Sequence, residues 1–192
     1  MKYKSSLLLA SVAMIVLTAC KKDDVVVPQL ATENTTVLKV NFSPLSPYTF
    51  FSFKNNAMVA NADSSSIKWD FALRLTTFLI NSNASGPGSA GVIMQSGVFD
   101  NVTVAPTTGY AYDTTTTKLA IKDGSWYDYN RTTNSFVPKA GRVFIFRTAD
   151  NKYAKMEIVE ANYDPFTGMT PSIINYKIRF TYQANGSTML SK

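Results

Sequence analysis

Ile67, Trp69, Phe71, Leu73 and Leu75 fall on one parity of the chain, with Lys68, Asp70, Arg74 and Thr76 on the other. Alternation of this kind marks a β-strand with one buried face, and Trp69 is its largest apolar anchor. The most regular segment comes last. Ile174, Tyr176, Ile178, Phe180 and Tyr182 share one face, while Asn175, Lys177, Arg179, Thr181 and Gln183 share the other. Gly141–Thr148 is apolar on both parities, as expected of a central strand covered on both faces. Weaker alternation predicts strands over Thr36–Phe42, Tyr48–Phe53, Ala57–Ala60, Val98–Val104 and Tyr153–Glu160, with turns at Asn55-Asn56 and Ala149–Lys152.

Breaker-rich segments separate these runs. Asn81–Gly91 is rich in Asn, Ser and Gly and reads as a long loop, a natural ligand rim when delivered by a buried strand. Thr107–Thr117 is Thr-rich and poor in apolar residues, and Asn162–Pro171 is bounded by Pro165 and Pro171; both read as loops. Long stretches of helical period are absent, and β-branched and aromatic residues are frequent. The expected fold is therefore all-β, a single antiparallel β-sheet domain of about eight to ten strands with long ligand-rim loops.

The N-terminus follows different rules. Lys2 and Lys4 precede a short apolar run, Leu7–Leu17, that is followed by Leu17-Thr18-Ala19-Cys20. A basic start, an apolar core too short for a mature membrane span and a small residue before the cut describe a secretory signal. Leu-Thr-Ala-Cys is similar to the bacterial lipobox, which implies cleavage before Cys20 and lipidation, palmitate included, of that residue. Cys20 is the only cysteine, so no internal disulfide can form. Lys21-Lys22-Asp23-Asp24 resembles a signal that sends lipoproteins to the outer face of the outer membrane. The expected division is a signal peptide over 1–19, a lipidated tether over 20–35 and one β-domain over 36–192.

Lys and Arg number 19 against 13 for Asp and Glu; removing Lys2 and Lys4 with the signal leaves 17 against 13. The basic residues are scattered and no run exceeds two, so nucleic acid is not the expected partner. There is no histidine, which removes Ser-His-Asp, Cys-His and histidine-metal chemistry. A lipidated Cys20 removes the thiolate as nucleophile or metal ligand. No spacing favours a carboxylate pair, and no phosphate-binding Gly pattern opens a helix. The expectation is a binding protein, not an enzyme.

Trp-Asp-Phe-Ala-Leu at 69–73, followed by the Asn/Ser/Gly run at 81–91, resembles the HmuY family of Bacteroidetes haem-binding lipoproteins. The order of motifs continues the likeness through Trp126-Tyr127-Asp128-Tyr129, Val137-Pro138 and a terminal Tyr-rich hairpin, from about Thr36 to Gln183. The resemblance implies a surface haem-binding, haemophore-like lipoprotein that passes haem to a TonB-dependent outer-membrane receptor. Histidine ligation has no residue here, so relatives with methionine ligands supply the pattern.

Haem also requires an apolar wall and donors for its propionates. Met58 falls in a hairpin strand, Met156 points inward and Met189 lies in the C-terminal tail, expected to fray. Met169, in the Pro-bounded loop, and Met94, after the Gly-rich loop, are the axial-ligand candidates. Tyr127, Tyr129 and Tyr163 are alternative ligands or ring contacts, and Arg131 and Lys139 could meet propionates. Each also has an ordinary role as gap filler, rim aromatic or surface charge. The alternative function is a non-catalytic surface lipoprotein of the same fold that binds a glycan, peptide or protein.

Overall fold

The computed structural model describes residues 30–166 and 171–191; the signal peptide, Cys20, Lys21–Asp24 and Met169 lie outside the described residues. Eleven strands form in the order β1 (Thr32–Asn41), β2 (Thr49–Ser52), β3 (Ala57–Val59), β4 (Phe71–Arg74), β5 (Thr77–Ile80), β6 (Gly91–Ser96), β7 (Tyr127–Asn130), β8 (Ser135–Pro138), β9 (Arg142–Arg147), β10 (Tyr153–Tyr163) and β11 (Ile173–Gln183). The fold is all-β and every strand pair is antiparallel. One sheet has the order β1-β11-β10-β9-β6, a second β3-β2-β4-β5, and the hairpin β7-β8 stands as a third.

The two larger sheets face each other across an aromatic core. Phe53 lies 4.9 Å from Phe146, Phe51 5.7 Å from Phe180 and Phe78 5.5 Å from Phe144, each pair joining one sheet to the other. β11 supplies Ile174, Tyr176, Ile178 and Phe180 to this core, as its alternation predicts. The two-sided apolar pattern of β9 also holds. Phe144 and Phe146 enter the main core, while Val143 and Ile145 enter a second one with Phe99, Val102, Ala105 and Leu190.

Other expectations are corrected. β1 starts at Thr32, so Thr32–Thr35 belong to the sheet, paired with Tyr182–Arg179, and not to a linker. The Trp69 strand begins only at Phe71: Ile67 is exposed, and Asp70, assigned by parity to the solvated face, is buried. Its run ends at a two-residue turn, Leu75-Thr76, which folds β5 back onto β4. Leu75 is left-handed there (φ +48°), a conformation that sequence does not advertise. Tyr176 donates to the Leu75 carbonyl at 3.1 Å and the Trp126 indole to the Thr76 carbonyl at 3.1 Å, so the core holds the turn in place.

Val98–Val104 is not a strand but carries a short 3-10 turn at Phe99–Asn101, whose apolar side chains cover β9. The strand in this region is β6, directly after the Gly-rich loop. Asn162 and Tyr163 extend β10 into the expected loop. The tail is anchored too: Leu190 is buried, its N–H donates to Thr103 and the Ala31 N–H donates to Ser191.

Candidate functional site

The Trp-Asp motif and the inner side of the Gly-rich loop build a brace. The Asp70 carboxylate accepts the Phe53 N–H at 2.8 Å and the Ala149 N–H at 2.9 Å, tying β2 to the β9–β10 turn. Burial pushes its pKa up from 3.8 to about 6, and those two backbone bonds oppose the rise. The Trp69 indole donates to the Ser64 carbonyl at 2.8 Å and packs edge-on to Phe50 at 4.8 Å. Asn81 is fully buried and donates to the carbonyls of Ser66 and Trp69 at 2.9 and 2.7 Å. A Cβ at Gly86 would sit 2.2 Å from Asn81 Oδ1 and 2.7 Å from the Trp69 ring, so the loop needs glycine to press onto the tryptophan. The inner side of this loop is therefore closed to a ligand.

An open apolar site lies elsewhere, between the β7–β8 hairpin and the far half of β10. Phe136, Val137 and Pro138 form one wall, Val159, Ala161 and Tyr163 the other, and Phe166 closes one side of a groove of about 460 Å³. A β-bulge between Ile158 and Glu160 creates the second wall. Before it, Ala154, Met156 and Ile158 point into the core; after it, Ala161 and Tyr163 take over the inward parity, and Val159 is left half exposed on the groove. The volume falls within the range of small-molecule pockets.

The structure brings Tyr127, Tyr129 and Tyr163 together around Phe136. Tyr127 and Tyr129 rings lie 5.1 and 5.3 Å from it, and the Tyr163 hydroxyl accepts the Phe136 N–H at 2.5 Å and donates to its carbonyl at 3.3 Å. The Tyr163 hydroxyl thus fastens β8 to β10. Burial raises its pKa, as it does that of Tyr127, which disfavours the phenolate that iron ligation needs. Tyr127 is further held by its hydroxyl bond to Asp123 at 2.9 Å, and Tyr129 by its bond to Asn134 at 3.0 Å.

Met94 is a strand residue of β6, opposite Phe144, packed against the core with its sulfur 3.9 Å from Ser125 Oγ. It does not line the groove. Lys139 is engaged by the Gly124 carbonyl at 3.0 Å and by Asp128 at 3.4 Å. Arg131 is exposed in the β7–β8 turn, two residues before Thr133 at the mouth of the groove. Met169 belongs to the segment 167–170 between Phe166, which lines the groove, and Pro171. Among the described residues, the lining supplies the apolar wall that haem requires together with Thr133, Ser135 and the carboxylate of Glu160, and contributes no methionine.

Phe136, Val159 and Phe166 were missed in the sequence. The signal available was the count of large apolar residues left without an inward parity, at Val137, Val159 and Phe166, all about half exposed.

No protein-family model matches the chain, and no curated protein matches it. Solved structures do. The apo HmuY analogue of Tannerella forsythia superposes with a TM-score of 0.53 at 13% identity, over 80% of this chain and 99% of that one. The fold is HmuY-like. A protein from Bacteroides vulgatus described as HmuY-like and heme-binding gives a TM-score of 0.47 at 14% identity, covering 76% of this chain and 90% of that one. A protein from Bacteroides fragilis described as a lipoprotein gives 0.48 at 12% identity, covering 76% and 89%. At these identities the HmuY-like likeness concerns the fold alone. Among the described residues, no helix is long and apolar enough to cross a membrane.

Proposed function

We propose that this protein is a surface lipoprotein that captures haem in the groove between β8 and β10 and hands it to an outer-membrane receptor. The observation that carries the reading is the groove itself: a 460 Å³, mainly apolar site on a HmuY-like fold, lined by Phe166, which precedes Met169 by three residues in sequence. Haem is the cargo, and the role of the chain is binding without catalysis. Phe136, Val159 and Phe166 supply the apolar faces that exclude water from a flat macrocycle. Tyr163 positions β8 against β10 and remains a neutral phenol, so it shapes the site without ligating iron. Met169, three residues after Phe166, would be the methionine ligand, and Lys139, next to Pro138, and Arg131, two residues before Thr133, are the cations that would meet the propionates.

Blocking the groove tests this reading. Val159→Trp places a ring in the groove from a half-exposed strand position that tolerates aromatics. We expect it to weaken haemin binding, read from the Soret band, by at least tenfold with an unchanged melting temperature. Unchanged binding in the folded variant would place haem elsewhere.

The anchor is tested separately. Cys20→Ala should move the protein from the membrane to the soluble fraction; persistent membrane association, with an unmodified Cys20 in the wild type, would remove the lipoprotein reading.

A further inference from the structure

The outer side of the Asn/Ser/Gly-rich loop forms a second pocket of about 310 Å³, lined by Ser82, Asn83, Gly88, Ser89, Tyr112 and Arg147. It sits at the Arg147–Tyr153 end of the β9–β10 pairing, whereas the apolar groove lies along the opposite end of β10. Its chemistry is also opposite. Every lining side chain beyond Gly88 carries a polar group, and none is acidic.

Arg147 is pre-organised. Its Nε donates to the Ser89 carbonyl at 3.3 Å and Nη2 to the Tyr112 hydroxyl at 2.6 Å. The guanidinium carbon lies 5.5 Å from the Tyr112 ring centre and 5.9 Å from that of Tyr110. These bonds use two of the guanidinium's five N–H groups, and Nη1 has no acceptor among the described residues. Asn83 is exposed, and neither its amide nor the Ser89 hydroxyl bonds to a described residue, so three donor groups face the pocket unengaged. The neighbouring Asp113 forms no ion pair with Arg147: its carboxylate accepts from the N–H groups of Ile80 and Ala120 and the Ser85 hydroxyl.

We propose that this pocket binds the carboxylate of an acidic sugar residue. A fixed guanidinium fork matches a carboxylate with two parallel hydrogen bonds. The Asn83 amide and Ser89 hydroxyl suit sugar hydroxyls, and the Tyr112 ring offers a flat apolar edge beside them. The volume accommodates a single small ring. This rests on a different site from the haem groove, and each stands or falls alone.

The test uses the purified wild-type chain, with sodium glucuronate, glucose and sodium sulfate as probes and amide NMR shifts as the readout. Glucuronate should shift the Asn83 and Ser89 amides and the Arg147 Nε–H saturably, with Kd on the order of millimolar. Glucose should leave them in place, and sulfate should bind at least tenfold more weakly than glucuronate. Arg147→Lys, which loses the fork, should weaken glucuronate at least tenfold. So should Asn83→Asp, which puts a repelling charge on the rim at a left-handed position (φ +45°) that aspartate adopts. An equal response to glucose, sulfate binding as tight as glucuronate, undiminished binding by folded Asn83→Asp, or no saturable shift would each overturn the proposal.

Discussion

Asp70→Ala lowers stability by about 2–6 kcal/mol at about pH 4, because it strands the buried N–H groups of Phe53 and Ala149 at about 1–3 kcal/mol each. The same substitution should cost less at about pH 7.5. Burial raises the Asp70 pKa from 3.8 to about 6, so the folded chain keeps a proton that the unfolded chain has lost between those values. The stability this carboxyl contributes is therefore complete below about pH 4 and is lost as pH rises through about 6, a difference of roughly 3 kcal/mol. Alanine has no such dependence. Urea midpoints of wild type and variant at the two pH values check this. A cost as large at the higher pH as at the lower would mean that the two amide bonds outweigh burial and keep Asp70 an ordinary carboxylate.

Trp69→Ala should cost about 3–5 kcal/mol, the range for removing a fully buried indole from a packed site. Three supports go together: the edge-on contact with Phe50, the bond to the Ser64 carbonyl and the surface against which Gly86 presses. At this chain length the melting temperature should fall by roughly 10 °C. Trp69→Phe should retain much of the packing and lose the hydrogen bond, so a smaller drop is expected. Thermal denaturation followed by circular dichroism decides it; an unchanged melting point in the alanine variant would show that the loop does not depend on this anchor.

Strands were legible where burial imposes a simple period. β11 faces the core along one side, and β9 is apolar on both because a second small core covers its outer face. The pattern misled where distant groups override it. Asp70 reads as solvated because its partners, Phe53 and Ala149, lie 17 and 79 residues away and make burial affordable only in the folded chain. The Leu75-Thr76 turn carries no Gly, Pro or Asn, and depends on Trp126 and Tyr176 reaching across the core. Val98–Val104 has the β-branched residues of a strand, yet its side chains serve to cover β9.

The candidate site was legible in part. Tyr127, Tyr129 and Tyr163 stand out as aromatics near turns and do converge, but their meeting point is Phe136, on a hairpin that packs on β10 only in three dimensions. The bulge at Val159 that opens the groove leaves no mark in composition or period. Met94, prominent after a glycine-rich run, proves to be a strand residue facing the core.

Optical titration of the purified wild-type chain with haem, oxidised and then reduced, tests the account at its centre. A thioether is a neutral, soft ligand that favours ferrous iron, so we expect a saturable Soret shift at one haem per chain and tighter binding after reduction. Met169→Ala should lose about fivefold to 150-fold of that reduced-state affinity, equivalent to ~1–3 kcal/mol. Absence of any saturable Soret shift with the wild-type chain, in either oxidation state, would contradict haem as the ligand of this groove.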